Sequence, residues 1–315
     1  MKNDEKINRL LNQTILKDIE TKLAKQDKTI KEHIIDLLNV LDLLLDLGYI
    51  QNDKIYELVE KACIYNDLGK LNDEFQKRIT SSKTKKVKFN DRKEVAHNVL
   101  SLYFIEKQKF EDEKDYLKVA HSVLNHHGYC NTLETMTQKE ELIKNLLSPY
   151  ETQKLKRSVK NKLADIIEDD ESIKIKGYLH KCDYNASAGS IAEYTNDFLE
   201  KSLDNLMKRW QIENQDANWN DLQKFCIENK NENIIAIAQT GMGKTEAGLL
   251  WIGDTKGFFV LPLRTAINAI YDRVRKDLLN NEKLDSRLAI LHSSSLEYYL
   301  NTLTNYENKS EVDKE

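Results

Sequence analysis

The stretch Ile234-Ile235-Ala236-Ile237-Ala238-Gln239-Thr240-Gly241-Met242-Gly243-Lys244-Thr245 carries the strongest structural signal in the chain. A short apolar run leads into a glycine-rich loop, and a second apolar segment follows, which predicts a strand, a phosphate-binding loop and a helix. Backbone N–H groups at the start of such a helix bind phosphate oxygens. Gly241 and Gly243 let the backbone bend closely around a phosphate because they carry no side chain.

The same loop predicts which residues contact a nucleotide. Lys244 is expected to reach the β- and γ-phosphates, and the Thr245 hydroxyl is expected to bind Mg²⁺. The loop has Ala238 where the general pattern has glycine, and this form resembles motif I of the DExH/D-box helicases. An unrelated glycine-rich turn is the alternative. The predicted site for ATP with Mg²⁺ comprises Thr240, Gly241, Gly243, Lys244 and Thr245.

The composition bounds the class of protein. A chain of 315 residues is long enough for two domains, each with its own core. The net charge is −4, so a nucleic acid would have to bind through local patches rather than an overall basic surface. Four cysteines without C-x-x-C spacing favour a reduced, cytoplasmic protein. The N-terminus is too polar for a signal peptide, and no apolar run has membrane-spanning length, so we expect no membrane partner.

Hydrophobic periodicity divides the chain into two halves. From Leu10 to about Leu206 apolar residues recur at helical spacing, and the scarcity of proline favours long helices. No strand is predicted before Ile234, whereas residues 234–238, 257–261 and 288–291 are predicted to be buried parallel strands. The junction is expected in the polar segment 201–218. The predicted fold class is α followed by α/β: an all-helical domain over residues 1–206 and an incomplete parallel α/β lobe over residues 207–315.

Histidines and carboxylates in the first half form a pattern suited to metal ions. His33, His97 and the pair His126-His127 lie near or in helical segments, and Asn66-Asp67-Leu68-Gly69-Lys70 lies between them. Neutral imidazole and carboxylate together suit divalent transition metals. Two ions that share one carboxylate can activate water and hold both oxygens of a phosphodiester displacement. Taken one at a time, each histidine is more simply explained as a core or surface side chain.

The order of these residues resembles that of an HD-superfamily nuclease domain: His33, Asn66-Asp67-x-Gly-Lys, Phe75-Gln76, His97, His126-His127 and Asp183-x-x-Ala-Ser. Followed by a helicase-type phosphate loop, it resembles the N-terminal part of the CRISPR-associated nuclease-helicases of type I interference systems. The resemblance covers nearly the whole chain. It implies a nuclease, endo- or exonucleolytic, that cuts single-stranded DNA in antiviral defence. It also implies fusion to an ATP-dependent DNA helicase with a RecA-like lobe, truncated here, and a guide-RNA surveillance complex as partner.

Carried over residue by residue, the resemblance implies a first ion bound by His33, Asp67 and Asp183. Asn66 stands where the family has its name-giving histidine. An amide oxygen is a weaker ligand than imidazole for late transition metals, so this site is expected to bind metal weakly or to prefer Mg or Mn. A two-metal nuclease, a one-metal enzyme of lower rate and an inactive domain are all compatible with this change, and we expect retained but weakened activity.

The resemblance implies a second ion, with Asp67 as the bridging ligand and Mn, Ni, Co or Fe as the expected metals. Three histidines complete this site: His97, His126 and His127. Lys70 is expected close enough to contact the phosphate or a metal-bound hydroxide, which makes Asp67 and Lys70 the predicted catalytic residues. His121 and His180 match no motif position and are expected to be structural.

Two further segments resemble parts of a helicase. Gln223 resembles the adenine-binding residue of the Q motif, although a surface glutamine is an equal alternative. Residues 258–268 resemble motif Ia, in which Arg264 or Thr265 would contact a DNA phosphate. No D-E-x-x box and no second RecA-like lobe follow. Because phosphoryl transfer needs those groups, the chain is expected to bind ATP weakly without productive hydrolysis.

Two other functions are compatible with the same residues. An HD phosphohydrolase of small nucleotides would use the same ligands, but the helicase-like loop argues against it. The second alternative is a degenerate HD domain that only binds a nucleotide or a partner. In that case Asn66 would mark the first position at which a metal ligand has been lost. A comparison of single-stranded DNA with nucleotides as substrates distinguishes the two enzymes, and a titration without bound transition metal would favour the degenerate domain.

Overall fold

A computed structural model of the chain describes residues 2–81, 88–128, 132–164, 169–278 and 287–301. The chain divides into two compact units, Met1–Glu193 and Tyr194–Glu315. The first unit contains α1 Lys2–Leu10, α2 Gln13–Ile19, β1 Leu23–Lys25, β2 Lys28–Thr29, α3 Ile30–Asp46, α4 Asp53–Tyr65, α5 Asp73–Ser81, α6 His97–Ser101, α7 Glu113–Leu124, α8 Thr132–Gln138, α9 Glu140–Leu147, α10 Arg157–Ala164 and α11 Asp170–Ala188. Short 3-10 helices lie at Leu68–Leu71, Leu102–Phe104 and Lys107–Lys109.

The core of the first unit forms where α11 packs against α3, α4 and α7. A capping box starts α3: the Thr29 hydroxyl accepts the Glu32 backbone N–H, and the Glu32 carboxylate accepts that of Thr29. Apolar residues then recur every three or four positions, so one face of α3 is buried, as the sequence predicts. The helical character of this half is therefore confirmed, and His33 lies on the buried side of α3.

A short antiparallel hairpin precedes α3, in which Leu23 pairs with Thr29 and Lys25 with Lys28. Gln76 of α5 holds this hairpin: its Oε1 accepts the Leu23 N–H (2.9 Å), and its Nε2 donates to the Leu23 carbonyl (2.8 Å). The same Nε2 donates to the Lys70 carbonyl (2.8 Å). The prediction of no strand before Ile234 is wrong, because strands of two and three residues are too short to show an alternating pattern.

The second unit contains α12 Leu199–Glu213, α13 Asp221–Glu228, α14 Lys244–Ile252 and α15 Arg264–Arg273, followed by a π-helical turn at Val274–Leu278. Leu203 and Leu206 of α12 belong to its buried apolar cluster, together with Leu250 and Val274. The segment 201–218, predicted to be a polar junction, is therefore largely a packed helix. No helix in the described ranges of either unit is both long and apolar enough to cross a bilayer.

The three segments predicted to be buried parallel strands are not strands in the part of the chain that the structure describes. Their apolar side chains are exposed: Ile235 by 92%, Ile237 by 95% and Val260 by 86%. A parallel strand needs hydrogen-bonded neighbours and covering helices. Among the described residues the single β-ladder is that of β1 and β2. The prediction of strands in these three segments is wrong for the described residues, and the RecA-like parallel sheet is not shown.

Candidate metal centre

Two packed helices bring His33 of α3 and Asp183 of α11 together, although 150 positions separate them in sequence. His33 Nε2 lies 3.1 Å from Asp183 Oδ1 and 3.2 Å from Asp67 Oδ2. Ser187, one turn further along α11, donates to Asp183 Oδ1 (3.3 Å). One ligand-type atom from each of His33, Asp67 and Asp183 lies within 4.8 Å of the other two. This first ligand group has the spacing to hold one cation.

A tight turn after α4 carries Asp67 and packs against the start of α6. Gly69 makes this approach possible, since a Cβ at that position would lie 2.0 Å from the His97 carbonyl oxygen. The Gly69 N–H donates to Ser101 Oγ (2.8 Å), and the Ser101 hydroxyl donates to the Asn66 carbonyl (2.7 Å). This packing places Asp67 Oδ1 3.3 Å from His97 Nε2.

A second ligand group consists of His97, His126 and His127, whose ring nitrogens lie within 4.8 Å of one another. His97 Nε2 is 3.0 Å from His127 Nε2, and the rings of His126 and His127 have centroids 4.0 Å apart. His126 Nδ1 is 2.7 Å from the Val123 carbonyl oxygen. That oxygen can only accept, so the bond assigns the proton to Nδ1 and leaves Nε2 with its lone pair.

The Asp67 carboxylate connects the two ligand groups. Its Oδ2 faces His33 and accepts from Lys70 Nζ (2.7 Å), while its Oδ1 faces His97. Burial tends to raise the pKa of Asp67, but the charge of Lys70 and the contacts with His33 and His97 lower it well below its usual value. Asp67 is therefore ionised at neutral pH, with one oxygen directed at each group.

The histidines differ in protonation. Burial lowers the pKa of His97 well below its usual value against the attraction of Asp67, and burial also lowers the pKa of His126. Both rings are thus neutral at pH 7, the form that binds metals. Burial tends to lower the pKa of His33 as well, but hydrogen bonds to Asp183 and Asp67 raise it overall. Below this raised pKa, a cation that binds His33 must displace its proton.

Several buried polar atoms of the centre lack a hydrogen-bond partner among the described residues. They are the Oδ1 and Nδ2 atoms of Asn66, which is fully buried, the Nδ1 atom of His33 and the Nε2 atom of His126. An unsatisfied buried polar group costs roughly 1–3 kcal/mol, so a ligand that satisfies these atoms would stabilise the fold. Imidazole, carboxylate and amide oxygen together suit divalent cations. The residues fit such ions, and their role as ligands stays a prediction.

The other residues singled out in the sequence differ in how close they lie to the two ligand groups. Lys70 donates to Asp67, and the Phe75 ring lies edge-on to His97 with centroids 6.2 Å apart. Buried His121 and exposed His180 belong to neither ligand group. Ser101, which joins Gly69 to Asn66, is not predicted from the sequence, because a serine within a helical segment carries no motif.

In the second unit, the predicted phosphate loop precedes α14. Gly241 and Gly243 have φ values of 88° and 67°, a region that favours glycine, and α14 begins at Lys244. Lys244 is exposed, and its Nζ donates to the Ala238 and Gln239 carbonyls (3.1 and 2.8 Å). Thr245 lies in the first turn of α14, and Thr240 is exposed. These positions suit a phosphate at the helix N-terminus, but nucleotide binding stays a prediction.

Gln223 is buried and its amide is engaged within the unit. Its Oε1 accepts the Asn220 N–H (3.0 Å), and its Nε2 is 3.4 Å from the Gly243 carbonyl oxygen. An adenine contact would require the amide to leave at least one of these partners. Arg264 and Thr265 are exposed at the start of α15, where Arg264 donates to Ser294 Oγ (2.6 Å). Their contact with DNA stays a prediction.

A family model matches the part of the chain that holds the candidate metal centre, and two curated proteins are similar to the chain. The family model "Cas3, HD domain" matches residues 22–189, which include every residue of both ligand groups. The CRISPR-associated nuclease/helicase Cas3 of Methanothermobacter thermautotrophicus is 29% identical over 136 residues, 40% of this chain and 15% of that protein. A putative CRISPR-associated nuclease/helicase Cas3 of Methanocaldococcus jannaschii is 26% identical over 196 residues, 53% of this chain and 27% of that protein.

The chain therefore aligns with less than a third of the length of these relatives. No solved structure matches it significantly. The family match spans more than half of the chain and coincides with the unit that brings the histidines and aspartates together. The chain belongs to the Cas3 HD domain family.

Proposed function

We propose that the first unit is a metal-dependent nuclease that hydrolyses phosphodiester bonds of single-stranded DNA. The observation that carries this proposal is the Asp67 carboxylate, which directs one oxygen to His33 and the other to His97. The family match supports hydrolase chemistry, and both relatives are named CRISPR-associated nuclease/helicases. The biological setting would be CRISPR antiviral defence, in which a guide-RNA surveillance complex exposes the substrate strand.

The two ligand groups would hold up to two divalent ions of Mn, Ni, Co or Fe. His33, Asp67 and Asp183 would bind one ion, with the Asn66 amide as an additional oxygen donor. Asp67 and the second ligand group would bind the other. When bound, such ions supply activation of water and neutralisation of phosphate charge. Lys70 balances the charge of Asp67 and holds positive charge beside the position of the phosphodiester, which makes Asp67 and Lys70 the proposed catalytic residues.

The deciding experiment compares metal content per chain and cleavage of a single-stranded oligonucleotide. The variants are the chain as given, Asn66→His and Asp67→Asn. We expect Asn66→His to retain more Ni or Co, because imidazole binds these metals better than an amide oxygen. We expect Asp67→Asn to lose metal and cleavage, because it removes the charge between the ligand groups.

Small nucleotides as competing substrates test the alternative phosphohydrolase. Faster turnover of nucleotides than of DNA would favour that function. If neither the chain as given nor Asn66→His bound metal or cut DNA, the nuclease proposal would be abandoned in favour of a degenerate domain.

We also propose that the second unit is part of a RecA-like helicase lobe that binds ATP with Mg²⁺. Support comes from the positive φ values of Gly241 and Gly243 directly before α14, and from the position of Lys244 at its first residue. Fluorescent ATP binding with and without Mg²⁺ tests this, with Lys244→Ala as the variant expected to lose affinity. Equal affinity of the two proteins would contradict it.

A further inference from the structure

β1 ends at Lys25, directly before the turn into β2 and α3. The hairpin is fixed to the turn of the metal centre, because Gln76 Nε2 donates to both the Leu23 and the Lys70 carbonyls. Ala24 is buried in the core, whereas Leu23 and Lys25 on either side of it are half-buried, and the strand pairing is irregular between them. Lys25 therefore lies partly accessible on a hairpin held against the segment that carries Asp67 and Lys70.

The charges that act on the Lys25 ammonium belong largely to the metal centre. Burial lowers the pKa of Lys25; attraction by Asp183 and Asp67 opposes this, while repulsion by Lys70 and Lys28 adds to it. The geometry agrees with this, because β1 packs against the short 3-10 helix Leu68–Leu71, which directly follows Asp67.

The three lysines around the centre differ in their partners. Lys28 forms an ion pair with Asp36, and Lys70 forms one with Asp67. No hydrogen bond or ion pair links the Lys25 side chain to another residue in the described ranges. The positive charge of Lys25 thus has no direct carboxylate partner in the part of the chain that the structure describes.

We propose that Lys25 contacts a non-bridging oxygen of the phosphodiester at the metal centre, as a second cation beside Lys70. This inference rests on the proposed nuclease function. A phosphodiester carries one negative charge in the ground state and gains charge as it is attacked, so a positioned ammonium with three donors stabilises it. Lys70 is already engaged with Asp67, whereas Lys25 has its donors available for the substrate.

A contact with substrate is distinguishable from a role in holding the metal ligands. An ammonium group has no lone pair and repels divalent cations, so removal of its charge is expected to leave metal content unchanged or higher. Removal of a residue that positions a ligand would lower metal content. Metal content per chain therefore separates the two roles without reference to activity.

The test uses the full chain with Lys25→Met, Lys25→Gln and Lys25→Arg. Lys28→Met is the matched control, since it removes the same charge from the same hairpin but from a side chain that is paired with Asp36. Affinity of the metal-free proteins for a labelled single-stranded oligonucleotide is measured by fluorescence anisotropy. The metal-loaded proteins are compared in kcat/KM for cleavage and in metal content.

We expect both neutral variants to lose about tenfold in DNA affinity and about tenfold to a hundredfold in kcat/KM, with metal content unchanged. Lys25→Arg is expected to recover most of both, because it keeps the charge. The inference would be overturned if the neutral Lys25 variants had the same DNA affinity and kcat/KM as Lys28→Met. It would also be overturned if the neutral Lys25 variants lost metal. In both cases the nuclease proposal would still stand. A metal-loaded chain as given that cuts no DNA would overturn both.

Discussion

Replacing Gly69 with alanine tests how the metal centre is assembled. The added Cβ would lie 2.0 Å from the His97 carbonyl oxygen and 2.7 Å from the Ser101 nitrogen, both backbone atoms that cannot rotate away. The Asp67 turn and the start of α6 must therefore move apart. Overpacking of this kind costs about 1–3 kcal/mol. Loss of the Gly69 N–H bond to Ser101 leaves a buried donor unsatisfied, which adds about 1–3 kcal/mol.

We therefore expect Gly69→Ala to lower the free energy of unfolding by about 3 kcal/mol, which corresponds to a fall in Tm of about 6–12 °C for a domain of this size. Metal content is expected to fall as well, because Asp67 and His97 separate. Thermal melting by circular dichroism and metal analysis of the same preparation measure the two effects.

Gly177→Ala is the matched control. This glycine is exposed in the middle of α11, and a Cβ there would meet no atom within 4 Å. Alanine is favoured over glycine in a helix by about 1 kcal/mol, so Tm is expected to stay the same or rise. A Gly69→Ala protein with unchanged Tm and full metal content would refute the reasoning, because the close approach would then have no structural importance.

Three further predictions follow from the contacts around the centre. Gln76→Ala removes the hydrogen bonds that join the hairpin to the Lys70 turn, and should lower the free energy of unfolding in urea by about 2 kcal/mol. The control is Lys77→Ala at the exposed neighbouring position, which should leave the free energy of unfolding unchanged. Ser101→Ala should lower the same quantity by about 1–3 kcal/mol, and an unchanged urea midpoint would contradict the bridge from Gly69 to Asn66. Because the pKa of His33 is raised, Mn²⁺ binding to the first ligand group should release a proton, and affinity should increase as pH rises through that pKa. Calorimetry in two buffers of different ionisation enthalpy counts this proton, and equal heats would argue against it.

The histidines and aspartates that the structure brings together could be selected from the sequence because their residue types are scarce and chemically specific, and their role as metal ligands stays a prediction. Seven histidines occur in 315 residues, so the recurrence of His33, His97 and His126-His127 around Asp67 is informative. Their convergence depends on the packing of α3 against α4 and of α6 against α7 and the turn that follows Asp67, which a linear pattern does not contain. The unsatisfied amide of Asn66 and the bridge through Ser101 are likewise tertiary features.

The second unit shows where local patterns are insufficient. Residues 234–238 have the apolar composition of a buried strand, but a strand exists only where neighbours pair with its backbone. Residues 201–218 are polar on average, yet Leu203 and Leu206 face the buried cluster because they follow Leu199 at helical spacing. Average polarity obscured an amphipathic helix in this case.

The position of Asp183 affects when the centre can form during translation. The chain leaves the ribosome N-terminus first, and a nascent chain that has emerged only as far as α10 contains His33, Asp67 and the three clustered histidines but not α11. Without α11, neither the core between α3, α4 and α7 nor the first ligand group is complete. The first ligand group can therefore assemble only after α11, the last helix of that core in the described residues, has been synthesised.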